Sequence, residues 1–277
     1  MSKKSLLITG CSSGIGYDAA HGLHKRGWRV FATCRKEADC ARLRGEGLES
    51  FRLDYADEAS IREAVAEALE RTGGTLDAIF NNGAFALPGA VEDYRRDALR
   101  EIFEVNFFGQ FDLIRQVMPV FHAQGHGRVV NNSSVLGISA MRMRGAYVAT
   151  KFAMEGMTDT LRLEYHGRNI HFILIEPGPI TSNIRINARA PFERWIEWED
   201  SAFRDLYENE VMPRLYAEKR GRDPFELPAS AVTRKLIHAL ENRRPKPRYY
   251  VTTPTYVVGY LKRILSTRAF DAVLRRG

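Results

Sequence analysis

The sequence predicts one α/β domain built on a doubly wound parallel sheet with helices on both faces. Short apolar runs alternate with helical patterns along the first two thirds of the chain, which is typical of successive βαβ units. The candidate functional side chains follow the ends of the apolar runs, where sheets of this kind bind ligands. The 277 residues, 44% of them apolar, are enough to form one large core, so we expect a single domain over residues 1–277.

The individual elements follow from apolar runs, glycines and helical spacing. The predicted strands are 5–9, 28–34, 48–53, 76–80, 128–132 and 170–175. The predicted helices between them are 14–26, one from about residue 37, 57–70, 95–122 and 146–165. Beyond residue 182 the pattern changes to aromatic residues among charges, which predicts a helical lid over the strand ends at 183–227. A helix at 229–241, a last strand at 249–251 and a basic amphipathic helix at about 254–276 complete the prediction.

Composition excludes several classes of function. The net charge of +7 fits an anionic cofactor or a basic surface, but there is no zinc-finger spacing and no aromatic RNA-binding motif, so we expect no nucleic-acid partner. Cys11, Cys34 and Cys40 are odd in number and lack paired spacing, so we expect reduced thiols, no metal site and a cytoplasmic location. No apolar run approaches the roughly 18 residues that a membrane-spanning helix needs.

A glycine-rich loop follows the first predicted strand and opens the first helix. The loop runs from Gly10 to Gly16 with the spacing G-x-x-x-G-x-G. Glycines let the backbone approach a pyrophosphate, and the amino end of a helix attracts its negative charge. A tight structural turn is the alternative, but the position between strand and helix favours a dinucleotide. The expected contacts in this loop are Gly10, Ser12, Ser13, Gly14, Ile15 and Gly16.

The end of the second predicted strand favours NADP(H) over NAD(H). An NAD site usually has an acidic residue here, whereas Arg accommodates a 2′-phosphate. This chain instead has Arg35 and Lys36, and Arg35 can pair with a phosphate in a forked geometry, with Ser12 as a hydroxyl partner. The alternative is that both cations are merely solvated.

Tyr147 and Lys151 are the candidate acid–base pair. They stand four residues apart in a predicted helix and so share one face. A cation beside a phenol favours the phenolate, which would bring the Tyr147 pKa closer to the working range. Ser134, at the end of the fifth predicted strand, can donate a hydrogen bond to a substrate oxygen. Taken alone, the pair is as compatible with a core tyrosine beside a solvated lysine.

The ordered set of these features resembles the short-chain dehydrogenase/reductase superfamily over about residues 5–185. The marks are the loop at 9–16, Asp54, Asn81-Asn82, Asn106, Ser134 thirteen residues before Tyr147, Lys151 and Pro177-Gly178. The sequences around the glycine loop and at 175–180 look more like the retinol and 17β-hydroxysteroid dehydrogenases. They also look like bacterial NADP-dependent reductases of medium- and long-chain aldehydes, which the C-terminal run resembles most.

The resemblance implies a Rossmann-like fold and a role for each matching residue. Tyr147 would be the general acid in reduction and the base in oxidation, Lys151 would bond the nicotinamide ribose, Ser134 would polarise the carbonyl, and Asn106 would hold a water of the proton relay. The further cofactor contacts that we expect are Asp54, Tyr55, Asn82, Gly83, Pro177, Gly178, Ile180 and Ser182. A homodimer or homotetramer through the two long helices is a further implication.

Two departures from the family pattern bear on the cofactor site. The family usually has Asn-Asn-Ala-Gly after the fourth strand, whereas this chain has Gly83-Ala84 where the family has Ala-Gly. The local turn can therefore differ from that of the family. The hydroxyl expected after Pro177-Gly178 can come from Thr181 or Ser182, and the register favours Ser182.

The expected substrate is apolar because the residues expected to surround it are mostly apolar: Phe85, Leu87, Leu136, Ile138 and Met141. A medium- or long-chain aldehyde, a retinoid or a sterol-like ketone fits such walls, although the aromatic residues of the lid can equally be packing residues.

The C-terminal helix can lie on an anionic membrane surface, pack on its own core or meet a partner. A cofactor-sensing protein with little catalysis is the alternative function on the same fold.

Overall fold

The fold is known from a computed structural model that describes residues 3–217, 221 and 223–275. A few residues of the predicted lid, and Arg276 of the predicted terminal helix, lie outside the described residues. Seven parallel strands form one sheet in the order β3-β2-β1-β4-β5-β6-β7. Helices cover both faces, which confirms the single doubly wound domain.

The strands lie where the apolar runs predict them, within two residues at each end. They are β1 Ser5–Ile8, β2 Arg29–Cys34, β3 Glu49–Arg52, β4 Ala78–Asn81, β5 Gly127–Asn132, β6 Ile170–Glu176 and β7 Arg248–Tyr250. Strand β1 pairs with β2 on one side and with β4 on the other. The crossovers therefore diverge at β1, and the carboxyl ends of β1 and β4 form the crevice where such sheets bind ligands.

The helices that precede the lid alternate with the strands. They are α1 Gly14–Lys25, α2 Glu37–Gly45, α3 Glu58–Thr72, α4 Arg96–Phe103, α5 Gly109–Gln124 and α6 Gly145–Glu164. Helices α4 and α5 flank a π-helical segment, Glu104–Phe108. The prediction of one regular helix over 95–122 is therefore wrong in its middle turn. The wider turn there positions Asn106, as the site geometry below explains.

The lid and the C-terminal region are helical. They comprise α7 Ile184–Asn187, α8 Arg189–Trp195, α9 Arg204–Leu206, a π-helical turn Tyr207–Val211, α10 Met212–Tyr216, α11 Ser230–Glu241, α12 Thr253–Ile264 and α13 Thr267–Leu274. The single terminal helix predicted from residue 254 is thus two helices. The chain turns at Leu265, and the Ser266 hydroxyl accepts a hydrogen bond from the Ala269 N–H to cap α13.

The lid belongs to the domain because its apolar residues form one cluster with residues of the loop after β4 and of α6. Phe192, Tyr207 and Leu215 of the lid are buried against Leu87 and Tyr147. The Tyr207 hydroxyl donates to Asp93 at 2.6 Å and accepts from the Ala90 N–H at 2.8 Å. Phe192 and Tyr207 are therefore packing residues, which agrees with the alternative that the lid aromatics pack rather than bind substrate.

Candidate active site

The glycine loop lies against the turn that follows β4, with no room for a side chain at Gly10 or Gly16. Gly10 and Gly14 have φ angles of +69° and +59°, which residues with a side chain rarely adopt. A Cβ at Gly10 would lie 2.8 Å from the Cα of Gly83, and a Cβ at Gly16 would lie 2.4 Å from the Gly10 carbonyl oxygen. Glycine at positions 10 and 16 therefore lets the two loops meet. A Cβ at Gly83 would lie 3.0 Å from Cε2 of the Tyr55 ring, which gives the departure from the usual family order a structural reason.

The amino end of α1 is free of negative side chains. Ser13 is the N-cap residue, its hydroxyl makes no capping hydrogen bond, and no acidic residue occupies the first turn. Ser12 is exposed on the loop, and Ile15 is partly buried against the core. Unpaired N–H groups and the helix dipole make this end a binding site for an anion.

The cations expected to select the cofactor lie at the end of β2. Arg35 and Lys36 are both exposed, directly after the strand, and Lys36 is the N-cap residue of α2. Arg42, which sequence reasoning missed, donates to the Ser12 carbonyl oxygen at 2.8 Å and so joins α2 to the glycine loop. Its signal in the sequence is slight, because an arginine in the middle of a charged helix normally faces solvent.

Two of the predicted residues, Asp54 and Tyr55, follow β3 and have different surroundings. Asp54 is partly buried, and its carboxylate accepts from the Ala56 N–H at 3.1 Å. The Tyr55 side chain is buried instead, with its hydroxyl 2.8 Å from Thr9 Oγ1 and 2.7 Å from Asn81 Oδ1. Its phenol therefore ties β1 to β4, and its ring lies beside Gly83, where an added Cβ would be 3.0 Å from Tyr55 Cε2.

Asn82 connects three strand ends. Its side-chain amide donates to the Thr9 carbonyl oxygen at 3.0 Å, and its Oδ1 accepts from Asn132 at 2.9 Å. The Gly83 N–H donates to Thr9 Oγ1 at 3.1 Å. The floor of the crevice is thereby fixed by hydrogen bonds rather than by apolar contacts.

The segment after β6 closes over the glycine loop. The Pro177 carbonyl oxygen accepts from the Val135 N–H at 2.7 Å, Gly178 packs against Thr252, and Ile180 is buried. The Thr181 hydroxyl donates to Glu226 at 2.6 Å. The β-carbon of Ser182 lies beside Gly14, since a Cβ at Gly14 would be 3.2 Å from it. This placement favours Ser182 over Thr181 as the hydroxyl that faces the cofactor.

Tyr147, Lys151 and Ser134 meet beneath the lid. The Lys151 ammonium nitrogen lies 5.6 Å from the centroid of the Tyr147 ring and donates to the Asn132 carbonyl oxygen at 2.7 Å. Ser134 hydrogen-bonds to Tyr147 and also accepts from the Leu136 N–H at 3.1 Å. Asn132 was missed as a partner, although two asparagines ending a valine-rich strand are a usable signal.

Asn106 lies in the π-helical segment and is fully buried. Its Oδ1 accepts from the Phe85 N–H at 3.0 Å, and its Nδ2 donates to the Phe85 carbonyl oxygen at 2.9 Å. The same Nδ2 lies 3.4 Å from the Thr150 hydroxyl, one residue before Lys151. Asn106 thus couples the loop after β4 to α6, and π-helical turns occur frequently at functional sites.

Burial controls the charges of the central pair. It raises the pKa of Tyr147 to about 12, against the hydrogen bond from Ser134, which lowers it. Burial also lowers the pKa of Lys151 to about 8, while the neighbouring Glu155 carboxylate acts in the opposite direction. The expected lowering of the Tyr147 pKa by Lys151 is therefore not the dominant effect, because the loss of solvent outweighs it.

The expected substrate walls are apolar but not equally placed. Leu87 is fully buried, Ile138 is 8% exposed, and Phe85 and Leu136 are partly buried against the cluster that contains Tyr147. Met141 is 46% exposed and lies outside this cluster. The described side chains around Tyr147 thus present mostly carbon to any molecule that reaches its phenol.

The chain belongs to the short chain dehydrogenase family, whose model matches residues 4–192. An uncharacterised oxidoreductase, YbbO, from Escherichia coli K12 is 35% identical over 99% of this chain and 94% of its own length. Human retinol dehydrogenase 8 is 33% identical over 88% of this chain and 80% of its own length. The relationship supports a branch of the family that includes retinol dehydrogenases.

Solved structures have the same fold. A short-chain dehydrogenase from Streptomyces avermitilis is 26% identical, with a TM-score of 0.79 over 100% of this chain and 97% of that one. A short-chain dehydrogenase/reductase from Burkholderia phymatum in complex with NAD is 24% identical, with a TM-score of 0.78 over 100% and 96% of the two chains. Another from Burkholderia cenocepacia, in complex with NADP, is 20% identical with a TM-score of 0.75 over 99% and 98%.

Two kinds of site are absent from the described part of the chain. Across residues 3–217, 221 and 223–275, no three His, Cys, Asp or Glu side chains are grouped to hold a metal ion. Over the same residues, no helix combines the length and the apolar character needed to cross a bilayer.

Proposed function

We propose that the protein is an NADP(H)-dependent oxidoreductase that interconverts an apolar carbonyl compound and its alcohol, with Tyr147 as the proton donor in reduction. The observation that carries the proposal is the buried contact between Tyr147, Ser134 and Lys151 at the mouth of the dinucleotide crevice. Membership of an oxidoreductase family supports the reaction class, while the cofactor preference and the substrate rest on the residues of this chain.

The residues present fit a dinucleotide. The glycine loop offers backbone N–H groups, its glycines carry no side chain that would obstruct a pyrophosphate, and Ser182 faces Gly14 from across the crevice. Lys151 and Asn82 would hold the nicotinamide end, and Arg35 with Lys36 would face the adenosine 2′-phosphate. One solved structure with this fold is a complex with NAD and another is a complex with NADP, so the fold alone leaves the preference open.

A bound nicotinamide dinucleotide would supply the hydride in reduction or accept it in oxidation. Ser134 orients the substrate oxygen and donates a hydrogen bond to it as negative charge develops there. Tyr147 gives its phenolic proton to that oxygen, and its raised pKa keeps the phenol protonated at neutral pH until then. Charged Lys151 stabilises the phenolate that is left, and the alcohol is the product.

The lid and the loop after β4 support an apolar substrate. Medium- or long-chain aldehydes, retinoids and sterol-like ketones can cover the carbon surface around Tyr147 without leaving polar groups of the protein unpaired. A relative is named as a retinol dehydrogenase, which agrees with this substrate class. The proposed reduction is distinguished from cofactor sensing by turnover, since a sensor needs no proton donor.

Two further proposals concern contacts of the whole protein. Three phenylalanines on or next to the long helices are exposed: Phe108 just before α5, Phe111 on α5 and Phe152 on α6. They fit a homodimer or homotetramer. The outer face of α12 exposes Tyr256, Val257, Tyr260 and Ile264 next to Lys262 and Arg263. That face fits peripheral contact with an anionic membrane surface by an otherwise cytoplasmic protein.

A substrate panel tests the proposal. Purified protein is mixed with NADPH or NADH and with medium-chain and long-chain aldehydes, retinal, a steroid ketone or a sugar aldehyde, and reduced-cofactor absorbance is followed. We expect NADPH oxidation with the apolar carbonyls and little with the sugar. Turnover restricted to polar substrates would contradict the substrate class, and a marked preference for NADH would contradict the role of Arg35.

A further inference from the structure

A buried cluster of acids lies directly behind the proposed active site. Glu155 on α6 is 6% exposed, and Glu176 at the end of β6 is fully buried. Arg248 on β7 pairs with both, its Nη1 lying 2.5 Å from Glu176 Oε1 and within ion-pair distance of Glu155 Oε2. Its Nη2 pairs with Asp159, one helical turn farther along α6, at 2.7 Å. Two buried carboxyl groups thus share one guanidinium.

One guanidinium does not satisfy both carboxyl groups. Glu155 Oε1 and Glu176 Oε2 are buried and make no hydrogen bond, and neither does the Ser133 hydroxyl. Ser133 Oγ and Glu155 Oε1 face the same point, since a Cβ at Gly137 would lie 2.5 Å from the first and 2.9 Å from the second. Two like charges cannot both be held here, so the pair favours sharing one proton.

Of the two carboxyl groups, Glu176 is the better placed to carry the shared proton. Burial, together with the charge of Glu155, raises the pKa of Glu176 to about 8. Glu155 is the less buried of the two and has the additional Lys151 charge nearby. The negative charge of the pair therefore lies on α6, on the side that faces the active site.

Glu155 is coupled to the catalytic helix by position. It stands four residues after Lys151, so their side chains share one face of α6. Lys151 is 1% exposed, and the Asn132 carbonyl oxygen is a neutral partner. The Glu155 carboxylate raises the Lys151 pKa and so opposes the effect of burial.

We infer that ionised Glu155 is a positioning residue that keeps Lys151 charged beside Tyr147, while Glu176 carries the shared proton. The inference rests on the proposed function for its catalytic consequence, but the charge state of Lys151 can be measured without turnover. It assigns a role to a carboxyl pair that takes no direct part in proton or hydride transfer.

The other charges around the pair come from each element packed on it. On α6 they are Asp159 and Arg162, which pair with each other at 2.7 Å. From β7 come Arg248 and the phenol of Tyr250, and from α12 comes Lys262, whose ammonium group lies 4.6 Å from the Phe152 ring centroid. Among these groups, Glu155 is the one whose charge raises the Lys151 pKa, so its loss leaves the burial of Lys151 uncompensated.

The test is a titration of Lys151 by NMR in protein with labelled lysine side chains, assigned with Lys151→Met. In Glu155→Gln we expect the Lys151 pKa to fall by roughly one unit. In the double variant Glu155→Gln/Glu176→Gln we expect it to fall at least as far, because Glu176 can no longer ionise and replace the lost charge. Glu155→Asp, which restores the charge, returns the pKa toward the wild-type value. The alkaline limb of the reduction rate moves down in pH by the same amount.

Asp159→Asn is the matched control, since it breaks an ion pair of the same Arg248 two helical turns from Lys151. We expect its Lys151 titration to match that of the wild type. Equal Lys151 titrations in wild type and Glu155→Gln would overturn the inference, as would two ionised carboxyl groups at neutral pH in carboxyl-labelled wild-type protein. The second measurement needs no variant to fold. Correct shifts without turnover on any carbonyl would instead count against the proposed function alone.

Discussion

Burial shifts the pKa values of Tyr147 and Lys151 in opposite directions. Burial disfavours a charge of either sign, so it raises the pKa of the phenol to about 12 and lowers that of the ammonium group to about 8. At neutral pH Tyr147 is then a proton-carrying acid beside a cation, which suits reduction. As the pH rises through about 8 the cation is lost, and the phenolate formed in the reaction loses its stabilising partner.

Arg35 is the residue on which the cofactor preference depends. A guanidinium at the end of β2 can form a charge-assisted pair with a 2′-phosphate, which is worth about 1.5–3 kcal/mol. In Arg35→Ala we expect kcat/KM with NADPH to fall by roughly 10- to 100-fold and kcat/KM with NADH to change little. Steady-state rates with both cofactors measure this.

Arg234→Ala serves as the control for Arg35→Ala, because Arg234 is an exposed cation on α11. It should leave both cofactors unaffected. An equal loss with NADPH and NADH in Arg35→Ala would show that Arg35 supports the fold of the loop rather than recognising a phosphate.

At the level of elements, the loops set the geometry more than the helices do. The glycine loop, the turn at Asn82-Gly83 and the segment at Ser182 converge because Gly10, Gly14 and Gly16 leave space. The π-helical turn brings Asn106 to the backbone of Phe85. Both features depend on backbone conformations that an ordinary helix or strand does not supply.

Gly16→Ala tests the packing of these loops. Its added carbon would lie 2.4 Å from the Gly10 carbonyl oxygen and 2.7 Å from Asn82 Nδ2, so the loop has to move. We expect at least a tenfold weaker NADPH affinity, measured by fluorescence titration, and a loss of about 1–3 kcal/mol in the free energy of unfolding.

The control for this variant is Gly45→Ala, since Gly45 ends α2 with no neighbouring atom within 4 Å of an added Cβ. Alanine there should preserve NADPH affinity and stabilise the protein by up to about 1 kcal/mol. Unchanged affinity in Gly16→Ala would refute the close approach of the two loops.

The sequence predicts the regular elements well because strand burial and helical spacing are local. The alternation of apolar runs locates all six strands of the first two thirds within two residues, and the spacing of Tyr147 and Lys151 puts both on one helix face. The π-helical turn at Asn106 is not predictable in this way, because it depends on a distant backbone, that of Phe85. The side chain of Tyr55 enters a buried network for the same reason.

Across the whole molecule, long-range charge pairs are the features that the sequence predicts least well. Arg248, Glu155 and Glu176 are distant in sequence, and the parallel pairing of β6 with β7 together with the packing of α6 on β6 brings them together. An acid that ends an apolar strand, as Glu176 does, is the single local signal. The C-terminal region likewise packs by contacts that spacing cannot predict, such as Gly259 of α12 against Tyr250.

Helix α12 has one face packed on the core and one face exposed. Thr255 and Gly259 are buried, whereas Tyr260 and Ile264 are 61% and 75% exposed beside basic residues. In Tyr260→Ser/Ile264→Ser we expect binding to anionic phospholipid vesicles to fall by about tenfold, since two apolar contacts are lost. Vesicle sedimentation measures the bound fraction.

Val91→Ser provides the matched control for the membrane experiment, as Val91 is 74% exposed elsewhere on the surface. Its vesicle binding should equal that of the wild type. Equal binding by all three proteins, or equal binding of the wild type to neutral and anionic vesicles, would rule out a basic apolar membrane face on α12.

In the proposed reaction, Tyr147 delivers a proton to an apolar carbonyl while NADPH is consumed. The most direct measurement compares NADPH oxidation by wild type and Tyr147→Phe with one straight-chain aldehyde, alongside NADPH affinity for both proteins. We expect turnover by the wild type, at least a thousandfold loss in Tyr147→Phe and unchanged NADPH affinity, since the phenylalanine keeps the ring but has no proton to give. Comparable turnover by the two proteins, or NADPH binding without turnover by the wild type, would contradict it.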